Sequence, residues 1–206
     1  MKRTIIVISR EYGAGGTAVG RKLAADLGIP VYEKTIIEMA AEKSGLSADY
    51  IDGLEETASR SFLFNLVSTS YSPSTMLPQY DVPISFTAYT AQSTVIRELA
   101  EKGSCVIIGR CSEYVLRDDP DCVKIFLRAD KETRIEYTMN QFNLDRKAAE
   151  AKLGKIERGR ANYYKTYTGE NWGNLQTHDI CINTTACGVD GAVEAIKAYL
   201  RGAGRL

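Results

Sequence analysis

The opening of the chain restricts its fold more than any other segment. Thr4 to Ile8 is an apolar, β-branched run, and Ser9 to Gly16 is turn-prone and contains Gly13, Gly15 and Gly16. From Thr17 onward Val19, Leu23, Ala24 and Leu27 recur at helical spacing until Gly28 and Pro30 stop the pattern. The order is a buried strand, a glycine-rich loop and a helix. Such a loop lets consecutive amides point inward as an anion-binding nest, and the helix behind it adds unsatisfied N–H groups and the positive end of its dipole.

The rest of the chain alternates in the same way. A short extended piece at 29–32 leads to a helix over 33–43, and Ser47 caps another helix. In that helix Tyr50, Ile51 and Leu54 are the apolar positions, and Glu55 and Glu56 face solvent. Residues 68–85 are rich in Ser, Thr, Pro and Tyr and read as a long surface loop. Helical spacing returns over 86–102. Strands follow at 105–108 and 123–127, then a long basic helical stretch over 131–167, a strand at 180–183 and a closing helix over 189–200. Strands alternating with helices predict one α/β domain, a three-layer parallel sheet with helices on both faces.

Composition narrows the function. The 26 Lys and Arg balance the 26 Asp and Glu, which argues against broad electrostatic binding of nucleic acid and leaves room for a local cationic pocket. No apolar run reaches the roughly 18–20 residues of a membrane helix. The basic-then-apolar start has only four apolar residues, Ile5 to Ile8, before Ser9, Arg10 and Glu11, too few for a secretory core. Five cysteines without C-x-x-C spacing fit reduced thiols, and a cytoplasmic location is expected. Asn183-Thr184-Thr185 then has no meaning as a glycosylation acceptor.

Set against G-x-x-x-x-G-K-[ST], Gly15, Gly16 and Thr17 fall at the G-K-T positions. Arg10 stands where the first glycine belongs and Gly16 where the phosphate-reaching lysine belongs. The plain alternative is a glycine turn entering a helix; the strand–loop–helix setting favours phosphate. Arg10, ahead of Arg21 or Lys22, is the candidate replacement for the lysine charge. Thr17 is the hydroxyl placed to reach magnesium or a phosphate.

Ligands of open α/β sheets bind beyond the carboxyl ends of the strands. Arg10, Arg110 after Gly109, and Arg128 each end a strand, and guanidinium pairs with phosphate through two parallel hydrogen bonds. Residues 124–165 hold 11 Lys and Arg against 6 Asp and Glu, a local excess of +5. Within them Arg134, Arg146, Arg158 and Arg160 are candidates to close over a transferring phosphate; the alternative is a solvated helix with ion pairs such as Glu157 to nearby lysines. His178 is the only histidine and has no partner at zinc spacing, and no G-x-S-x-G elbow occurs. Asp179 either accepts a ribose hydroxyl or caps a turn. Lys34 either reaches an acceptor phosphate or is a solvated first-turn residue. Trp172 reads as a packing residue.

Ser9-Arg10-Glu11-Tyr12-Gly13-Ala14-Gly15-Gly16, Tyr32-Glu33-Lys34, Val106-Ile107-Ile108-Gly109-Arg110, Arg160-Ala161-Asn162-Tyr163-Tyr164 and Asp179-Ile180-Cys181-Ile182-Asn183-Thr184-Thr185 occur in this order. Together they resemble the cytidylate kinase-like family of P-loop nucleoside monophosphate kinases. The resemblance implies a core of residues 1–32, 91–130 and 178–206, a helical acceptor-binding insertion over about 33–90, and a lid over about 131–167. It implies ATP and magnesium as cofactors and CMP or dCMP as acceptor. Ser9, Gly13, Ala14, Gly15, Gly16 and Thr17 would hold the donor, with Thr17 also on the metal. Lys34, Arg110 and Asp179 would hold the acceptor, and Arg10, Arg158 and Arg160 would serve catalysis. Gly16 departs from the typical lysine. Two rivals stand beside this reading: a nucleotide-sensing module without turnover, and a kinase for a non-nucleotide metabolite. Phe62, Phe64, Tyr71 and Tyr80 form either a partner surface, with a homodimer as the candidate assembly, or a loop packed on its own core.

Overall fold

A computed structural model of the protein describes residues 2–57 and 83–206. Five parallel strands, β1 (Ile5–Arg10), β2 (Val31–Tyr32), β3 (Cys105–Ile108), β4 (Cys122–Arg128) and β5 (Ile180–Asn183), form one sheet in the order β2-β3-β1-β4-β5. β1 takes the centre because both of its faces are apolar. Ile5, Ile6, Val7 and Ile8 are wholly buried, each contributing roughly 1.5–3 kcal/mol of burial. Ile8 lies opposite Ile108 on one side and Ile125 on the other. That register brings the ends of β1, β3 and β4 to a common edge, and Arg10, Gly109 and Arg128 with them.

On one face α1 (Gly16–Leu27) and α8 (Thr184–Gly202) pack through Val19, Leu23, Val193 and Ile196. The other face is covered by α2 (Lys34–Ser44), α3 (Ala48–Thr57), α4 (Ile84–Glu101) and the short α5 (Ser112–Val115), joined by Tyr163 and Tyr164 of α7 (Arg146–Thr168). The expected three-layer architecture is present. Among the described residues no helix is long and apolar enough to cross a membrane.

Three local expectations are corrected. The basic stretch is two helices, α6 (Lys131–Phe142) and α7 (Arg146–Thr168), rather than one. Asn143 takes a left-handed φ of 50° at the end of α6, and Asp145 caps α7 by accepting from Ala148 N at 2.8 Å. The closing helix starts at Thr184, with Asn183 as its cap and a break at Gly188. Glu55, expected in solvent, is buried, because α3 turns this residue toward the strand ends and Tyr50 outward. The loop over 68–85, up to residue 82, and Phe62, Phe64, Tyr71 and Tyr80 lie outside the described residues. Cys105, Cys111 and Cys122 are buried and Cys181 and Cys187 exposed, all as free thiols.

Candidate active site

The loop between β1 and α1 turns through left-handed Gly13 and Gly15, and Gly15 caps α1 without any side-chain acceptor. The first-turn N–H groups of α1, which have no carbonyl in their own helix, border a cavity of about 400 Å3. Gly13, Gly15, Gly16, Thr17, Arg10 and Arg160 line it, together with Glu33. Thr17 Oγ1 donates to Glu33 Oε1 at 2.6 Å, and Arg21 Nη2 lies 3.7 Å from the other Glu33 oxygen. A hydroxyl and a carboxylate side by side at a phosphate loop suit a hard divalent cation, which takes oxygen ligands and commonly only one or two carboxylates.

Arg10 runs across two glycines. A Cβ on Gly16 would meet Arg10 Cγ at 2.6 Å, and a Cβ on Gly109 would meet Arg10 Cζ at 2.8 Å. The arginine therefore occupies the space into which a side chain at position 16 would start. The lysine and this arginine conformation are mutually exclusive.

A second, smaller cavity of about 20 Å3 lies on the other side of Arg10. Gly109, Arg110 and Cys111 are three consecutive left-handed residues with φ of 71°, 61° and 54°, which turns Arg110 back under α3. Its guanidinium donates to Asp52 Oδ1 at 2.5 Å and to Ile51 O at 3.4 Å, and its backbone N–H donates to Glu55 Oε1 at 2.9 Å. Burial pushes the Glu55 carboxyl upward, but Arg110, then Arg10 and Arg160, outweigh burial and hold it at about 2. Glu113 is 4% exposed, with Oε2 lacking a hydrogen-bond partner among the described residues. Burial raises its pKa above the usual carboxylate range.

The α6–α7 hairpin sits directly on the loop. Tyr12 packs its ring against Tyr137 and Phe142, and the Arg160 guanidinium lies 5.3 Å from the Tyr12 ring centre. Arg134 is paired with Glu11 and Glu157, and Glu11 also accepts from Ala129 N at 2.9 Å. Arg160 Nη1 donates to the Arg10 carbonyl at 3.3 Å.

The cytidylate kinase-like family model matches residues 5–186. The chain belongs to the cytidylate kinase-like family. It is 26% identical over 205 residues to the cytidylate kinase of Methanopyrus kandleri, covering 95% of this chain and 92% of that one. A solved structure of an uncharacterized protein from Eubacterium ventriosum is 29% identical with a TM-score of 0.68, covering 97% and 99% of the two chains. Shikimate kinase from Acinetobacter baumannii, in complex with shikimate, is 16% identical with a TM-score of 0.54 over 98% and 94%, and shares the fold. The fold is that of the P-loop kinases.

Within this cytidylate kinase-like chain, the structure gathers Arg10, Gly13, Gly15, Gly16, Thr17 and Arg160 around the larger cavity, and Ser9, Arg10, Arg110 and Arg160 around the smaller. Four predicted residues lie elsewhere. Arg158 is exposed and folds back along α7 toward Gly154, because it lies two positions, about 200°, around the helix from Arg160. Asp179 is exposed on the flank of the sheet, where Oδ2 accepts from the backbone N–H of Lys124 in β4 at 2.7 Å, and it lines neither cavity. Lys34 is exposed at the first turn of α2 and lines neither cavity. Ala14 is buried, and its carbonyl accepts from Thr184 Oγ1 at 3.1 Å. Of the other basic-segment arginines, Arg146 pairs with Glu132 and Arg134 with Glu157, so Glu157 pairs with an arginine and not with a lysine.

Sequence reading missed Glu33, Glu55 and Glu113. Glu33 had a signal, since it directly follows the second strand, at the same sheet edge as Arg10. Glu55 and Glu113 had none, because nothing local distinguishes a buried glutamate from a solvated one.

Proposed function

We propose that the protein transfers the γ-phosphoryl group of ATP, with magnesium, to a nucleoside monophosphate, with CMP or dCMP as the acceptor suggested by its cytidylate kinase relatives. The observation that carries this reading is that Arg10 and Arg160 line both cavities. A group passing from a donor in the larger cavity to an acceptor in the smaller one would cross between these two cations.

The residues divide the work accordingly. The amides of Gly13, Gly15 and Gly16 and the first turn of α1 hold donor phosphates. Arg10 supplies the positive charge that position 16 lacks. Thr17 and Glu33 are the residues that would hold magnesium, which when bound neutralises charge on the donor phosphates. Arg160 stabilises charge on the transferring group, and Arg110 orients the acceptor phosphate. Phosphoryl transfer asks mainly for such positioning and charge neutralisation.

The closed state of Arg110 favours a second reading, a nucleotide-binding module that senses without turnover. Incubation with ATP and magnesium against CMP, dCMP, UMP, AMP and GMP, following ADP release, separates the two. Acceptor-dependent release is the expected result. ATP binding without release for any acceptor would select the sensing module or a non-nucleotide acceptor.

A further inference from the structure

The smaller cavity contains an ionic arrangement that the transfer reaction does not by itself require. Arg10, Arg110 and Arg160 surround one carboxylate, that of Glu55, which is 7% exposed. The space left is about 20 Å3, room for roughly one water and not for a nucleotide. Arg110 Nε, 3.8 Å from Glu55 Oε1, has no hydrogen-bond partner among the described residues, and neither has Glu113 Oε2 across the cavity. Unpartnered buried polar atoms around a nearly filled space mark a site designed to hold more hydrogen bonds than its present occupant makes.

We propose that Glu55 is a built-in counter-ion that keeps the Arg10–Arg110–Arg160 site closed, and that a dianionic phosphate monoester displaces its carboxylate on binding. This inference rests on the reading of that cavity as the acceptor site. The physical reason is charge and geometry. Arg110 is buried and also pairs with Asp52, but two carboxylates against three guanidinium groups still leave excess positive charge, and a buried guanidinium short of an anion is unfavourable, so the site without phosphate keeps the Glu55 carboxylate. A phosphate monoester brings close to two negative charges and three acceptor oxygens, against one charge and two oxygens from Glu55. A monocarboxylate offers nothing that Glu55 does not already supply. Glu55 thereby sets selectivity for phosphate over carboxylate acceptors.

The helix permits the exchange. Ile51 and Leu54 anchor α3 in the core, while Glu55 lies in its last turn. The residues after Leu54 can unwind and carry the Glu55 side chain out while both anchors remain docked.

Inorganic phosphate is the probe, and Trp172, the lone tryptophan, lines the same cavity and supplies the signal. Titration of the full chain is expected to show weak saturable binding of phosphate and none of acetate. Glu55→Gln, which removes the competing charge, is expected to tighten phosphate binding about tenfold or more, as follows when the competent state is a minor fraction. ATP affinity at the loop is expected to stay within about twofold. Unchanged or weaker phosphate binding by a folded Glu55→Gln protein overturns the proposal and makes Glu55 a fixed part of the scaffold. Should that variant fail to fold, hydrogen exchange on the wild-type chain decides. Amides 55–57 are expected to lose protection at saturating phosphate, and unchanged protection overturns the proposal. Neither readout requires phosphoryl transfer. A chain that exchanges Glu55 for phosphate yet phosphorylates no nucleotide would sink the kinase reading and leave this one standing.

Discussion

Arg10 and Gly16 occupy one space: the arginine stem passes where the side chain of residue 16 would begin, with Cγ 2.6 Å from a Cβ built there. Restoring the usual lysine by Gly16→Lys is therefore expected to lower activity rather than raise it. Arg10→Ala is expected to cost roughly 100-fold or more in kcat/KM, the scale of losing one preorganised charge donor. The double variant Arg10→Ala with Gly16→Lys should recover part of that loss. Steady-state kinetics with ATP titration checks all three, and a fully active Gly16→Lys would show that the two side chains do not compete.

Gly109 is expected to tolerate no side chain. It combines a φ of 71° with Arg10 Cζ 2.8 Å from its would-be Cβ. Gly109→Ala should lose about 1–2 kcal/mol from the left-handed conformation alone, and further through displacement of Arg10. Urea unfolding gives the first quantity, and the accompanying fall in ATP affinity gives the second.

Thr17 and Glu33 form one hydroxyl–carboxylate pair at 2.6 Å. Thr17→Ala and Glu33→Gln are each expected to raise the magnesium concentration needed for half-maximal turnover about tenfold, with Thr17→Ser near wild type. A magnesium titration of turnover is the measurement. Equal magnesium dependence in all four proteins would remove the pair from the metal.

Arg158 and Arg160 separate cleanly. Arg160→Ala should lower kcat roughly 100-fold with little change in KM, as for an interaction made chiefly in the transition state. Arg158→Ala, whose side chain points away from both cavities, should stay within about twofold. A large loss in Arg158→Ala would mean that the hairpin rotates during turnover.

The buried glutamates predict opposite pH effects. Glu55 is held at about 2, below its unfolded value, so it stabilises the fold above the unfolded pKa. That stability is lost as pH falls toward about 2. Glu113 is raised, so the native state holds its proton more tightly, and stability declines as pH rises from the unfolded pKa through the native one. Glu113→Gln is expected to flatten that decline, and Glu55→Gln to remove part of the acid loss. Denaturation midpoints between pH 3 and 8 test both signs.

The strands were legible because each is a short, largely apolar run, and parallel central strands must be apolar on both faces. The phosphate loop was legible because glycines at turns leave a local signature. The division of the basic stretch was not, since a single left-handed Asn143 breaks a pattern that otherwise keeps helical spacing.

The chain's residues alone determined the α/β layering, the strand–loop–helix unit, the absence of the usual lysine and the candidacy of Arg10. Local sequence suffices there, because hydrophobic period and glycine conformation act over a few residues. Tertiary structure alone decided which charges meet. Arg160 enters the site and Arg158 does not, through helix rotation; Asp179 caps a strand edge; Glu55, 45 residues after Arg10 and 55 before Arg110 in the chain, lies buried among three arginines. Electrostatic partners are chosen by distance in space, and only the packed sheet and its helices fix those distances.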